Sequence, residues 1–175
     1  SGSSYGFWSA AVTTVPRAFG VEKVGDGWDY KATSLLDGDP TLVTSPTQTV
    51  TYKINPKAVW SDGQAITSHD FKYTWDQIAN GNDIYDKTGW DHIASVDDSK
   101  PDTAVVTYKS PYADWKSSFS GNYGGFPAHL HAGKDRDKEM ANGYTWSGGP
   151  WKIEAWEKGS QLPLCPFYTT SPVAR

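Results

Sequence analysis

Hydrophobic and polar positions alternate most cleanly about a third of the way along the chain. Val50, Tyr52 and Ile54 interleave with Thr49, Thr51, Lys53 and Asn55, the period of a strand with one buried face. Pro56 lacks a ladder donor and closes that strand. Ser61-Asp62-Gly63 reads as a turn, because Asp bonds the backbone ahead of it and Gly takes a positive φ at little cost. The period then changes. Phe71, Trp75 and Ile78 fall at i, i+4 and i+7, one apolar stripe of a helix over 67–80. Thr67 or Ser68 caps its start, Asp70 sits in the first turn where the helix dipole favours negative charge, and Asn80-Gly81 offers a left-handed stop. Asp62, Asp70 and Asp76 thereby have local work as turn, cap and solvated face.

The same reading places short strands at 21–24 and 28–36 around Gly25-Asp26-Gly27, and at 92–96 and 103–108 around a polar turn at 97–102. Residues 5–19 have mixed polarity, with Phe7, Trp8, Val12 and Val15 available for burial. Trp28, Trp60, Trp75, Trp151 and Trp156 lie inside strand or helix patterns and are expected in the core. The predicted architecture is a mixed α/β lobe, a twisted sheet of short strands with few helices and the 67–80 helix on one face.

Composition narrows the functional classes. At 175 residues the chain is one domain or one lobe of something larger, and it can bury a real core. With a mean hydropathy of −0.60, no window is apolar for long enough to span a bilayer. A net charge of −4 with scattered Lys and Arg argues against a nucleic-acid partner, whose phosphates require a basic face. A single cysteine, Cys165, excludes an internal disulfide and a thiolate metal site. Nine Trp and ten Tyr are unusual, and such side chains either fill a core or line a surface that grips a ligand.

Candidate chemistry is sparse. His129 and His131 form a His-x-His pair that would ligate a metal only if both faced one side of a strand; further ligands are lacking, so no metal and no cofactor is expected. No histidine has a nucleophile and an orienting acid at suggestive spacing, and the chain is not expected to be an enzyme; His129 and Asp114 are the only catalytic candidates. The glycine-rich run at 143–150 lacks the Lys-Ser/Thr of a phosphate loop and reads as a tight bend. Tyr5, Trp8, Trp115, Tyr123 and Trp146 fall in loops, where binding residues concentrate, and are the expected ligand-facing set.

Four phrases occur in a telling order: Trp60-Ser61-Asp62-Gly63 before the helix, the strand pair around 97–102, Phe126-Pro127-Ala128-His129-Leu130, and Gly148-Gly149-Pro150-Trp151-Lys152. Together they resemble the dipeptide/oligopeptide/nickel family of extracellular solute-binding proteins, which feed ABC importers. The resemblance covers about residues 20–160. It implies the first lobe of a type II periplasmic-binding-protein fold and non-catalytic capture of a small peptide or similar solute for a membrane permease. It also implies an extracellular or cell-surface location, with signal and lipid anchor outside this chain. Residues 1–162 are assigned to a partial solute-binding lobe. Residues 163–175 are expected to form a divergent, proline-rich tail in which strand pairing stops, as after a truncation or a lost frame. Family members close two lobes over the ligand, so one lobe presents half a cleft, and its exposed apolar surface favours a homodimer. The alternatives are an independent aromatic module for small molecules or glycans, and a lobe recruited for another role, catalysis included.

Overall fold

In the strand over Thr49–Lys53, β4, alternation does what the sequence requires: Val50 and Tyr52 are fully buried while Lys53 is exposed. The chain's computed structural model describes residues 11–84, 86–120, 124–141, 143–155 and 162–167. Before β4 come a helical turn at 11–14, β1 (Phe19–Val24), β2 (Gly27–Ala32) and β3 (Thr41–Val43). After it come α1 (Ser68–Asn80), β5 (Ile93–Lys100) and β6 (Thr103–Tyr108). A 3-10 turn (Trp115–Ser117), α2 (Ala128–His131), α3 (Arg136–Met140), β7 (Trp151–Ile153) and β8 (Leu164–Pro166) complete the order. Strands β3-β4-β6-β5 form one antiparallel sheet, while β1 with β2 and β7 with β8 are separate antiparallel pairs. This is the mixed α/β arrangement of short strands and few helices that the periodicities predict.

One face of the four-stranded sheet carries Val50, Tyr52, Ala104, Val106, Tyr108 and Val96 into the core. α1 lays Phe71 and Ile78 on that face, and Phe119 fills the space beside them, with ring centroids 4.9 Å from Phe71 and 4.8 Å from Trp90. Each such side chain, fully buried, contributes roughly 1.5–3 kcal/mol relative to exposure. The start of α1 is tied to the β5–β6 turn by Ser68, whose N donates to the Pro101 carbonyl at 2.9 Å and whose Oγ donates to that of Lys100 at 2.8 Å.

Several expectations are corrected. Trp28 is 72% exposed and Trp151 39% exposed, so neither is core. Alternation tells which face a side chain joins, not whether anything covers that face. Trp60 is core as expected, at 0% exposure, and Trp75 is half-buried. Trp156 lies outside the described residues. The 97–102 segment is not all turn, since β5 runs to Lys100 and only Pro101 and Asp102 reverse the chain. Gly81 ends α1 with φ −64°, not left-handed; a Cβ there would lie 2.2 Å from the Gln77 carbonyl oxygen, so close approach rather than φ calls for glycine. The prolines after residue 162 do not prevent pairing: Leu164–Pro166 pairs with β7, with Pro166 at the strand's last position, where a missing donor is tolerated.

Candidate functional site

Trp60 organises the corner of the lobe nearest the first described residues. Its backbone N donates to the Gln64 carbonyl at 2.8 Å across a turn in which Gly63 takes φ +88°. The indole Nε1 donates to Asp70 Oδ2 at 3.3 Å. Asp70, only 4% exposed, also accepts from Thr67 N at 2.8 Å and, through Oδ1, from Ala128 N at 2.8 Å. A carboxylate in the first turn of α1 therefore caps its own helix, orients Trp60 and fixes the start of α2. Burial pushes the Asp70 carboxyl above its ordinary range, against these hydrogen bonds, which act to lower it. Thr74, one turn on, accepts from Phe126 N at 2.8 Å.

Two glycine-containing segments close on residues 13–16. Gly148 N and Gly149 N both donate to the Thr14 carbonyl at 2.9 Å, and Ser147 Oγ donates to the same oxygen at 2.8 Å. Gly125 N donates to the Pro16 carbonyl at 2.9 Å. At two of these glycines no side chain fits: a Cβ on Gly149 would sit 2.3 Å from the Thr13 oxygen, and one on Gly124 2.3 Å from Val15 Cγ1. Ser61 and Ser147 exchange hydrogen bonds of 2.7 and 3.0 Å, joining the Trp60 turn to the Gly148-Gly149 turn. The Tyr144 hydroxyl bonds Thr14 Oγ1 at 2.8 Å, its ring stacks on Trp146 at 4.4 Å, and Trp146 meets Trp60 edge-on at 5.6 Å. Burial raises the Tyr144 phenol above its usual value.

The five aromatic candidates divide by position. Trp146 is 7% exposed, packed among Trp60, Phe126, His131 and Tyr144. Trp115 is half-buried against Phe19, 5.6 Å between centroids, on the side of the β1–β2 hairpin. Tyr5, Trp8 and Tyr123 lie outside the described residues. The hollow beneath the corner, bounded by Pro16, Trp60, Asp70, Phe71 and Gly125 among others, holds about one water molecule and is no solute pocket.

His129 and His131 do not act together. They sit on the short helix α2, where positions two apart diverge by about 200°. His129 Nε2 meets Asp62 Oδ2 at 2.7 Å, and His131 Nδ1 meets Glu139 Oε2 at 2.7 Å. Burial pushes Asp62 up, but the hydrogen bonds from His129 and Gln64 N outweigh it and hold its carboxyl below the ordinary range. Asp114 precedes the 3-10 turn, and the carboxylate that pairs with His129 is Asp62. Among the described residues, no three His, Cys, Asp or Glu side chains gather as a metal site would require. The buried Asp70 hub and the clasp on residues 13–16 escaped the sequence reading, because their contacts join positions up to 133 apart.

The profile described as "Bacterial extracellular solute-binding proteins, family 5 Middle" matches residues 38–166. The chain belongs to this family. The family 5 match includes both the Trp60 turn and the Gly148-Gly149 turn. The oligopeptide-binding protein OppA of Mycobacterium tuberculosis is 35% identical over 153 residues, which is 85% of this chain and 25% of OppA. The probable monoacyl phosphatidylinositol tetramannoside-binding protein LpqW of the same organism is 33% identical over 135 residues, 74% of this chain and 20% of LpqW. Among solved structures, the periplasmic EDTA-binding protein EppA superposes with a TM-score of 0.76 at 28% identity, covering 91% of this chain and 31% of EppA. The chain thus spans a fifth to a quarter of the length of these curated relatives. Its family is one of extracellular binding proteins by description.

Proposed function

We propose that this chain forms one wall of an extracellular oligopeptide-binding site serving an ABC importer, and that the corner built on residues 13–17 is where the solute rests. The observation that carries the reading is the 35% identity to an oligopeptide-binding protein over 85% of the chain, a stretch that takes in the Trp60 hub. The geometry supports it. Residues 13–16 are held by backbone hydrogen bonds from two glycine segments, with stacked aromatic rings behind them. A backbone corner held rigid by a packed aromatic cluster, with Thr13 and Arg17 partly exposed, suits a peptide, whose main chain is recognised largely independently of sequence.

Tyr5, Trp8 and Tyr123 are assigned to the solute face, since they flank this corner in sequence. Trp146 supports it from beneath, and Trp115 extends it towards the hairpin. Partner permease, cell-surface location and self-association through exposed apolar surface belong to the same proposal. Native mass spectrometry of the chain incubated with an equimolar pool of tri- to pentapeptides tests it. Retained peptide mass is expected. Retention of a manno-oligosaccharide supplied in parallel, with no peptide, would replace the peptide reading by a glycan one.

A further inference from the structure

Arg17 stands out at this corner. Its neighbours fix its backbone from both sides: the Pro16 carbonyl accepts from Gly125 N at 2.9 Å, and Ala18 N donates to the Phe119 carbonyl at 2.9 Å. Its own carbonyl accepts from Thr33 Oγ1. The side chain is half-buried, and its Nε and Nη2 are both buried with no hydrogen-bond partner. Among the described residues, no carboxylate pairs with it. The other described arginine, Arg136, shows what this fold does when a guanidinium is structural: Asp83 accepts two hydrogen bonds of 2.7 Å from it, Gln77 a third of 3.1 Å, and the Phe126 ring lies 5.1 Å away. Leaving guanidinium N–H groups buried and unpaired is costly, since they lose water and gain nothing in return.

We propose that Arg17 is the anchor for a carboxylate group of the bound solute. Nε and Nη2 form one edge of the guanidinium, and two parallel N–H groups on one edge match the two oxygens of a carboxylate. A single negative charge also suits the surroundings. Burial lowers the pKa of Arg17, and among the described residues Tyr144 is the titratable neighbour that acts on it. A phosphate dianion would need a second cation, whereas a carboxylate neutralises one guanidinium. Tyr144 already bonds Thr14, so the neighbouring phenol is held in place while the Arg17 edge has no partner among the described residues.

This assignment rests on the solute-binding reading, and calorimetry on the full chain separates the two. The probes are tri-alanine and its C-terminal amide, titrated into the unaltered chain, Arg17→Gln and Arg17→Lys. The unaltered chain is expected to bind the free acid at least tenfold more tightly than the amide. Arg17→Gln should weaken binding of the free acid at least tenfold and abolish that preference, and Arg17→Lys should restore part of it. Binding of acid and amide with equal affinity, or a preference that survives Arg17→Gln, would overturn the role of Arg17 and leave the peptide reading standing. Binding of neither probe would sink both. If Arg17→Gln does not fold, the Nε–Hε resonance of Arg17 in the unaltered chain decides the matter. A shift on saturation with tri-alanine supports the anchor, and a stationary signal with bound peptide refutes it.

Discussion

At the scale of single residues, Asp70 carries the most consequence. It is a first-turn helix residue by sequence, yet three N–H groups from Trp60, Thr67 and Ala128 converge on its carboxylate. Asp70→Asn can keep acceptors on one side only, and its NH2 must then face a donor. The expected cost is about 1–3 kcal/mol, the penalty of a buried donor left unpaired, read as a lowered urea midpoint. Linkage gives a second readout. The folded-state pKa is raised, so the native chain holds a proton that the unfolded chain releases near its ordinary value of about 3.9. Stability from this group is therefore present at low pH and lost as pH rises through the folded value. Asp62 runs the other way: its lowered value gives stability present above the ordinary carboxylate range and lost as pH falls through the folded value. Urea midpoints of the unaltered chain and Asp70→Asn, compared from about pH 4 to 7, should converge as pH rises through the folded pKa of Asp70. A constant difference would show that Asp70 does not titrate there.

At the scale of elements, legibility followed the range of the contacts. β4 and α1 were readable, because a period of two and a period of 3.6 each report one face. The cap at Thr67 and the turn at Gly63 were readable because they are local. The β1–β2 hairpin was readable as a hairpin, but its outer surface was not: Val21, Val24 and Trp28 are exposed, and pairing register alone does not say what lies above a strand. Trp28→Ser should accordingly change stability by no more than about 0.5 kcal/mol, and a loss beyond 2 kcal/mol in a denaturation curve would show the ring to be buried. The glycine clasp was illegible, since a glycine's sequence neighbours do not reveal which distant backbone it must admit. Gly149→Ala should cost about 1–3 kcal/mol by overpacking against Thr13. An unchanged midpoint would mean that the two segments are not in contact.

At the scale of the molecule, the family 5 motifs that are remote in sequence prove to be neighbours. Ser61 and Ser147 bond one another, and the Gly148-Gly149 turn holds the Thr14 carbonyl. Exposed Val21, Val24, Trp28, Leu42 and Val43 leave apolar surface on the hairpin and the sheet edge. Sedimentation should show association in the micromolar range, and a monomer throughout would contradict self-association. The central claim, that the corner is the solute-bearing surface, is tested most directly by amide NMR during titration with tri-alanine. The account predicts shifts concentrated at residues 14–18, 124–126 and 144–149. Saturable shifts confined to the hairpin or to the outer face of the sheet, with the corner silent, would contradict it.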